Sequence, residues 1–445
     1  MKTIRKIVIA SAAISLTACE LDLQNPNAPT VEQVTGSVDG VIALATGLQA
    51  RFAESYGNFA YMSGLVTDEF AAVSAALISI SDAEGGSVAP GTGVSDAVFN
   101  SVYRTVRTAD DLLSNADRLS DEIDVGTKSG LKALAFTLKA EALGEAMQSY
   151  QQIPINTFEV TQPTYVPRSQ SLPYIRSLLD SAADQLAAQA PSTFFNSTIL
   201  TPGVSLPNLI QLLRARYARI ANDDATALAA SNLVSRTSLS ALTYPSPATN
   251  FYNLVTGGAN GIGPRRQFRL SMDPSDQRWT YFVTPSTVVG RVGSLLDVWA
   301  RYVNPRAPLP VYYPDEALLI KAEALARTNQ LAAAQAAVDS VRTDCTGGRG
   351  LDDPKACLPP LSGALSQAQL LTEIYTQRRY ELYGTGLRWE DARRRNAIRG
   401  FAVFPNVPVE GQRCWLPYAL GDRNANPNVP ADPPEPTSFP SGCSL

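Results

Sequence analysis

The amino-acid sequence predicts a mainly α-helical protein, in which packed helix pairs form a scaffold that carries irregular loop insertions and a few short strands. Apolar residues recur at helical spacing along much of the 445-residue chain, most clearly over residues 315–342. Residues 240–310, in contrast, are rich in aromatic residues, Gly, Pro and Asn and lack that periodicity. The length of the chain alone would allow two or three domains.

The first 30 residues are typical of an export signal followed by a tether. Three basic residues open residues 1–18, and the apolar stretch behind them is too short to span a bilayer. The stretch ends in the sequence LTAC, which resembles the lipobox of bacterial lipoproteins. This predicts removal of residues 1–18, a lipid anchor on Cys19 and a polar lipidated tether over residues 19–30. The alternative is an ordinary secretory signal that happens to end at a cysteine.

Seven segments of helical periodicity follow the tether. They cover residues 31–68, 97–119, 130–150, 170–190, 206–234, 315–342 and 366–399. Glycine and proline predict a loop over residues 83–95, and the Pro- and Asn-rich C-terminal residues are expected to be irregular. Within the second insertion, SLLDVWARYV at residues 294–303 is a possible helix, so Trp299 and Tyr302 are expected in the core.

Small and large apolar residues alternate between the two halves of one helical segment. Ala322 and Leu325 are followed by Ala334 and Val338. Two antiparallel helices need small residues where they cross closely and large ones beside the crossing. The spacing resembles that of a tetratricopeptide helix pair, and a weaker copy lies at residues 214–231. The alternative is generic packing of alanine-rich helices.

The composition weakens the enzyme class. The chain has no histidine, which excludes a His-containing nucleophile triad and any His-ligated zinc or haem site. A carboxylate pair for glycoside cleavage stays possible, but no spacing of Asp and Glu singles one out. We therefore predict a binding protein that is not an enzyme and that has no cofactor and no metal site. With 37 basic and 41 acidic residues, the net charge of -4 also argues against nucleic acid as a partner.

Four cysteines follow the predicted lipidation site, namely Cys345, Cys357, Cys414 and Cys443. An even number of cysteines in an exported chain indicates disulfides, and three pairings are possible. We favour Cys345–Cys357 and Cys414–Cys443, because these partners are nearest in sequence and lie in Gly- and Pro-rich loops. The alternative is that the thiols are free and buried.

A segment near the C-terminus carries the most specific pattern in the chain. Residues 377–394 read QRRYELYGTGLRWEDARR. Leu382 and Tyr383 continue the apolar stripe of one helix, Gly384 and Gly386 can end that helix, and a second short helix follows. Nothing in this pattern requires catalysis, so we expect its carboxylates and arginines to form a structural ion network.

This segment resembles a signature of the SusD/RagB family of outer-membrane nutrient-binding lipoproteins, in which a helix and a glycine precede an arginine, an aspartate and further arginines. Other matches follow the order of the family along nearly the whole chain. They lie at residues 19–30, 67–69, 132–155, 313–324 and 414–428. The chain is therefore identified, by resemblance, as a member of this family.

The resemblance implies a single unit of tetratricopeptide-like helix pairs over residues 31–445, whose irregular insertions around residues 70–97 and 240–310 carry a ligand site. It also implies a lipid-anchored protein of the outer membrane that faces the cell exterior and binds oligosaccharides or other nutrients. Family members act as a lid on a SusC-like TonB-dependent barrel and pass ligand to it for import. Such a barrel is therefore the expected partner, and the lipid anchor predicted at Cys19 agrees with this location.

A sugar-binding surface needs aromatic faces for the apolar side of the ring and polar side chains for the hydroxyl groups. The second insertion supplies both types of residue. The candidate ligand-binding residues are Asn250, Tyr252, Arg266, Trp279 and Tyr281. The alternative for each aromatic residue is a place in the hydrophobic core.

Two other functions stay open at this stage. A tetratricopeptide-type interaction scaffold in the cell envelope would bind a peptide in a helical groove, and Trp279→Ala would not affect it. An all-α glycosidase would lose hydrolysis when a single Asp or Glu is replaced. Because no carboxylate pair stands out, we rank the glycosidase last.

Overall fold

The computed structural model describes residues 36–119, 121–244, 261–303, 307–345, 351–394 and 413–433. Helices dominate these residues, as the periodicity predicts. In chain order they are α1 (Val38–Val66), α2 (Ile78–Glu84), α3 (Gly93–Arg118), α4 (Val125–Ser149), α5 (Arg168–Ala188), α6 (Leu206–Ile220), α7 (Asp224–Ser231), α8 (Gln267–Leu270), α9 (Arg278–Phe282), α10 (Pro314–Arg327), α11 (Leu331–Arg342), α12 (Gln367–Glu381), α13 (Arg388–Arg394) and α14 (Leu420–Ala425).

The strands of the described residues are short and pair in antiparallel twos. They are β1 (Phe70–Ala72), β2 (Gln152–Pro154), β3 (Tyr165–Pro167), β4 (Ser240–Leu242), β5 (Ile262–Pro264), β6 (Val283–Val289), β7 (Leu295–Trp299) and β8 (Leu309–Tyr312). The pairs are β1 with β5, β2 with β3, β4 with β8, and β6 with β7. Single bridges join Val73 to Gly290 and Arg265 to Leu296, so the β6–β7 hairpin lies beside the β1–β5 pair.

Helix α1 shows how the sequence sets a helix and its buried face. The hydroxyl of Ser37 accepts a hydrogen bond from the Gly40 N–H at 3.2 Å, which satisfies one of the unpaired donors of the first turn. Val41, Ala45 and Phe52 then lie on one face of the helix and are fully buried. The cap therefore fixes where the helix starts, and the apolar spacing fixes which side packs into the core.

Helix α4 is buried on nearly all sides because it packs against α1, α3, α5 and α6. Its closest approach is at Gly144, where an added Cβ would lie 1.6 Å from the hydroxyl oxygen of Tyr217 on α6. Only glycine leaves room for the tyrosine at this crossing. The hydroxyl of Tyr217 then reaches Glu141, one turn earlier on α4, and donates a hydrogen bond to it at 2.7 Å.

The small and large apolar residues of this pattern pack together between α10 and α11, as predicted. Ala322, Ala334 and Val338 are fully buried and belong to one hydrophobic cluster, and Ile374 of α12 joins them. The weaker copy also forms a cluster. Its members are Ala215 and Ala218 of α6, Ala227 and Ala230 of α7, and Ile320 and Ala324 of α10. The prediction of a mainly α-helical scaffold with tetratricopeptide-like helix pairs and few short strands is confirmed.

A buried ion network centred on Arg216 connects α4, α6 and α10. The guanidinium donates two hydrogen bonds of 2.8 Å to Glu316 and one of 2.7 Å to Glu141, and it also reaches the carbonyl oxygen of Val311 at 2.8 Å. All three charged side chains are at most 1% exposed. Because the guanidinium lies between two carboxylates, burial is compensated by charge pairing and by hydrogen bonds.

A second buried network contains Asp391 of the 377–394 motif. Asp391 accepts from Arg378 at 2.7 Å and lies 2.8 Å from Arg219, while Arg394 reaches Glu323 at 2.6 Å. Burial alone would raise the pKa of Glu323, but Arg219 and Arg394 lower it to about 2. The network joins α6, α10, α12 and α13, so the expected structural role of these carboxylates agrees with their positions.

The motifs at residues 67–69 and 377–394 meet inside the protein. The hydroxyl of Tyr383 donates to the carbonyl oxygen of Glu69 at 2.8 Å, and the Gly384 N–H points at its carboxylate from 3.4 Å. Burial raises the pKa of Glu69 to about 7, although Arg388 lowers it in part. Gly384 and Gly386 have φ of 74° and 85°, where glycine is the least strained residue.

Residues 295–299 form strand β7, so the possible helix at 294–303 is wrong. The reason is pairing at long range, because Leu295 lies opposite Val289 and Leu296 is bridged to Arg265. The expected core positions are confirmed, since Trp299 is 7% and Tyr302 1% exposed. The indole N–H of Trp299 donates to the carbonyl oxygen of Ile262 at 3.1 Å.

Cys345 and Cys357 form a disulfide just after α11. The Cys357 N–H donates to the carbonyl oxygen of Asp344 at 2.8 Å, which joins the two arms of the loop. Cys443, the predicted partner of Cys414, lies outside the described residues, as does Cys19. None of the described helices combines the length and apolar character that a bilayer-spanning helix needs.

Candidate ligand-binding site

The second insertion is attached to the scaffold by an aromatic cluster. The rings of Phe268 on α8 and Tyr383 stack with centroids 3.6 Å apart, and Phe282 on α9 meets Phe268 edge-on at 5.8 Å. Both phenylalanines are at most 1% exposed. Each of the two short helices therefore packs one buried phenylalanine inward, and these contacts hold the insertion against the scaffold. Trp299 at the end of β7 also packs against Tyr383, whereas Arg269 on α8 and Trp279 on α9 are only partly buried.

Arg266 and Arg269 converge on one buried carboxylate of the hairpin. Asp297 on β7 is fully buried, and it accepts two hydrogen bonds from Arg269, at 2.9 and 3.2 Å. Nε of Arg266 lies 3.8 Å from the same carboxylate, and the guanidinium of Arg266 also donates to the carbonyl oxygen of Ser286. Because Asp297 is inaccessible while the two arginines are 20–23% exposed, the part of this cluster that meets water is positive.

Trp279 on α9 borders this pair of arginines. Its indole is half-buried, packs against the main hydrophobic core, and lies under the guanidinium of Arg269 at 5.7 Å from the ring centroid. Cation–π geometry of this kind holds a guanidinium flat against an aromatic ring. Two of the predicted residues, Arg266 and Trp279, are thus connected through Arg269 and Asp297. We call these four side chains the Arg–Trp cluster.

Tyr281 lies in a different environment. It follows Trp279 by two positions on a short helix, so the side chains leave the axis about 200° apart. Its hydroxyl donates to the carbonyl oxygen of Asp352 at 2.9 Å, and the guanidinium of Arg301 covers its ring at 4.6 Å. Burial raises the pKa of Tyr281. Tyr281 therefore joins α9 to the segment before Cys357, and it does not share a ring surface with Trp279.

Asn250 and Tyr252 lie outside the described residues, so their part in the site stays a prediction. The sequence analysis missed Arg269 and Asp297, which complete the Arg–Trp cluster. Their pairing spans 28 residues and depends on the hairpin register, for which the sequence carries no local signal. Among the described residues, no group of three or more Cys, Asp or Glu side chains is placed to hold a metal ion.

A separate cavity of about 170 Å³ opens between α1, α4, α6 and β4. Apolar side chains such as Phe52, Leu134 and Leu242 form its walls, and Thr46 and Thr201 contribute hydroxyl groups. The amide of Gln49 in its wall is already bonded to the backbone at Ile199 and Thr201. None of the predicted ligand-binding residues of the described chain lines this cavity.

The observed architecture is a helical scaffold of tetratricopeptide-like pairs with a polar and aromatic insertion on one side. The SusD family model matches residues 306–410. No curated protein matches the chain. Over those residues the chain therefore resembles the SusD family, and the remainder of the likeness lies in the fold.

Solved structures similar to this chain have low sequence identity and a closely similar fold. A SusD homolog from Bacteroides thetaiotaomicron has 15% identity and a TM-score of 0.68, and the match covers 92% of this chain and 100% of that one. A SusD superfamily protein from Bacteroides fragilis has 18% identity and a TM-score of 0.65, covering 87% and 98%. A SusD-like carbohydrate binding protein from Bacteroides vulgatus has 16% identity and a TM-score of 0.62, covering 81% and 83%.

Proposed function

We propose that the protein is a cell-surface lipoprotein that captures an oligosaccharide or another small nutrient and delivers it to a SusC-like, TonB-dependent transporter of the outer membrane. The match of residues 306–410 to the SusD family model supports this proposal, and so does the structural similarity to a solved SusD-like carbohydrate binding protein. The lipobox-like sequence that ends at Cys19 supports anchoring to the membrane from the outside.

The observation that carries the proposal is the Arg–Trp cluster on the outer side of the insertion. A half-buried indole offers an apolar surface that matches the C–H face of a sugar ring. Guanidinium groups beside it supply fixed hydrogen-bond donors for hydroxyl or carboxylate oxygens. Since Phe268 and Phe282 hold the inner side of the insertion on the scaffold, the donors and the indole keep a defined spacing.

We infer that the protein acts by binding and not by catalysis. The carboxylates with raised pKa include Glu69, Glu141 and Glu145, and burial is the main cause for each. All three are at most 1% exposed and lie in the helical scaffold, out of reach of a substrate on the Arg–Trp cluster. Asp297 of the Arg–Trp cluster is fully buried and paired with two arginines, so its carboxylate does not face a ligand on the surface.

The binding step is tested with the full chain in mild detergent, by a glycan screen followed by calorimetric titration of the best glycan. Trp279→Ala is expected to weaken binding about 5- to 30-fold, because stacking of a ring on an indole contributes on the order of 1–2 kcal/mol. Phe194→Ala removes another aromatic ring, 45% exposed, and serves as the matched control with unchanged affinity. If no glycan binds, or if both variants bind alike, this part of the proposal is wrong.

The delivery step is tested in cells. Cys19→Ser is expected to abolish lipidation, seen as the loss of the acyl mass from the N-terminal peptide, and to release the protein from the membrane fraction. The wild-type protein is expected to co-purify with a large β-barrel protein in mild detergent, and its deletion should reduce uptake of one nutrient. Purification without a barrel partner, together with unchanged uptake after deletion, would contradict delivery.

The tetratricopeptide-type scaffold predicts a different result in the same experiments. It requires a bound peptide, and Trp279→Ala leaves that binding unchanged because the Arg–Trp cluster lies on the insertion. A peptide library is therefore screened beside the glycans. Peptide binding that survives Trp279→Ala, with no glycan bound, would favour the interaction scaffold over nutrient capture.

A further inference from the structure

The Arg–Trp cluster carries one more positive than negative charge. Arg266 and Arg269 share the single carboxylate of Asp297, and that carboxylate is fully buried behind them. The Ser286 N–H also points at Asp297 from 3.4 Å, so the carboxylate is well supplied with donors from the protein itself. Part of the hydrogen-bonding capacity of the two guanidiniums is therefore left for a group outside the protein.

The neighbouring arginines are neutralised separately. Arg265 lies 2.6 Å from Glu84 and 3.5 Å from Asp68, and it is 2% exposed. Arg278 is fully buried and is paired with two carboxylates of its own, Asp276 at 2.6 Å and Glu381 at 3.5 Å. These carboxylates are paired inside the protein, so the excess positive charge remains on the partly exposed Arg266 and Arg269.

The helices and the strand next to Arg266 and Arg269 expose no acidic side chain. Helices α8 and α9 and strand β6 contain neither Asp nor Glu. Strand β6 instead exposes Thr284 and Thr287, and the hydroxyl of Ser286 lies between them along the strand. Asp273 follows α8, but its carboxylate accepts from the N–H and the hydroxyl of Ser275 at 2.9 and 2.6 Å.

The donors that remain are suited to an oxyanion. Arg269 uses its Nε and one Nη2 hydrogen on Asp297, and within the described residues its Nη1 group has no acceptor. Nε of Arg266 is buried near Asp297, so the outer Nη side of that guanidinium is the part that can face a ligand. A guanidinium edge recognises a carboxylate through two parallel hydrogen bonds, which a neutral hydroxyl group cannot accept equally well.

Resting on the proposed function, we infer that the ligand is an acidic oligosaccharide, in which the carboxylate of a uronic acid binds Arg266 and Arg269 while its ring contacts Trp279. The buried Asp297 acts as a positioning residue, since it holds Arg269 against the indole and leaves the outer guanidinium edge for the ligand. The hydroxyl groups of Thr284 and Thr287 are available for further sugar hydroxyls.

The test uses pairs of oligosaccharides that differ only in charge, titrated into the full chain in mild detergent. The probes are tetragalacturonate and glucuronic-acid-substituted xylo-oligosaccharides, each with its methyl ester. At least one acid is expected to bind about 10-fold more tightly than its ester, which corresponds to about 1.4 kcal/mol. Raising NaCl from about 50 to about 500 mM should weaken binding of the acid and leave that of the ester nearly unchanged.

Two variants test whether the preference for the acidic oligosaccharide arises from the Arg–Trp cluster. Arg266→Gln leaves Asp297 paired with Arg269, so the cluster becomes neutral, and this variant should abolish the preference for the acid. Arg269→Gln combined with Asp297→Asn removes the buried charge pair together but keeps Arg266, and it should reduce the preference. Arg51→Gln, an exposed arginine on α1, is the matched control for loss of one positive charge. Circular dichroism and thermal unfolding confirm that each variant is folded.

Equal binding of acid and ester would overturn the inference, and so would a preference that survives in both cluster variants. If neutral glycans bind and the acids do not, the inference fails and nutrient capture stands. If no glycan of either charge binds, nutrient capture fails first and the inference fails with it. The outcomes for the ligand class and for the proposed function are therefore distinguishable.

Discussion

Replacing Arg216 by methionine is expected to destabilise the protein strongly, because it breaks the network that joins α4, α6 and α10. The variant removes three hydrogen bonds to the carboxylates of Glu141 and Glu316 and one to the carbonyl oxygen of Val311. Hydrogen bonds to charged groups contribute roughly 1.5–3 kcal/mol each, which sets an upper range of about 5–9 kcal/mol for the three.

The measured loss should be smaller than that sum. Burial already raises the pKa of Glu141, although Arg216 lowers it in part. Without the guanidinium, Glu141 can take up a proton, which limits the energy of the unpaired buried charge. We expect a decrease of about 3–5 kcal/mol in the free energy of unfolding at pH 7, the range found when a buried pair loses one partner. The decrease should become smaller as the pH falls, because protonation then costs less.

The assay is urea denaturation followed by circular dichroism, with m-values compared between variants. Two controls separate the buried network from a general effect of losing arginine. Arg107→Met removes an i,i+4 pair with Asp111 on α3, where the arginine is 53% exposed, and should cost less than about 1 kcal/mol. Adding Glu141→Gln and Glu316→Gln to Arg216→Met should recover part of the stability. A loss below about 1 kcal/mol for Arg216→Met, or one equal to that of Arg107→Met, would refute this reasoning.

Three further predictions concern other buried features. Since burial raises the pKa of Glu69 to about 7 from about 4.5 in the unfolded chain, its carboxyl binds a proton more tightly in the folded state. Stability relative to Glu69→Gln should therefore fall by about 3 kcal/mol as the pH rises from 4 to 8, measured by urea denaturation across that range; a constant difference would contradict it. Gly144→Ala should destabilise by about 1–3 kcal/mol because the new methyl group displaces Tyr217, whereas Gly47→Ala, with open space around the added Cβ, should stabilise by up to about 1 kcal/mol. Equal changes in melting temperature for the two glycine variants would contradict a steric clash at the crossing of α4 and α6. Replacing both cysteines of the disulfide after α11 by serine should cost about 2–3 kcal/mol through the freed loop of 12 residues, and an unchanged unfolding midpoint would exclude that effect.

The helical scaffold was predictable because its signals are local. Ala322 and Leu325, followed by Ala334 and Val338, stand at spacings that only two packed helices bury together, and they are buried as expected. The region around Trp299 was not predictable in the same way. Its apolar residues fit a helix as well as a strand, and pairing of β7 with β6 and with Arg265 decides the outcome. Such pairing depends on residues far away in the chain.

The candidate site was likewise predictable only where the signal is local. An arginine and a tryptophan were selected from the insertion because of their residue types, and the fold brings Arg266 and Trp279 to one cluster. Arg269 and Asp297 were missed, because the contact between them requires the hairpin to be in register. Tyr281 was grouped with Trp279 on the basis of sequence proximity, yet two positions on a helix place side chains on nearly opposite sides.

The attachment of the insertion has a consequence for how ligand specificity can change. Phe268 and Phe282 face inward and fix the segment to the scaffold, while Arg266, Arg269 and Trp279 project from the same short stretch on the other side. Residues that anchor the segment and residues proposed to bind ligand thus alternate along one short stretch of chain. Arg266 can be replaced without touching Phe268 and Phe282, whereas Arg269 has to change together with Asp297, the buried carboxylate that it holds. New binding preferences can therefore be engineered in this segment through such paired substitutions.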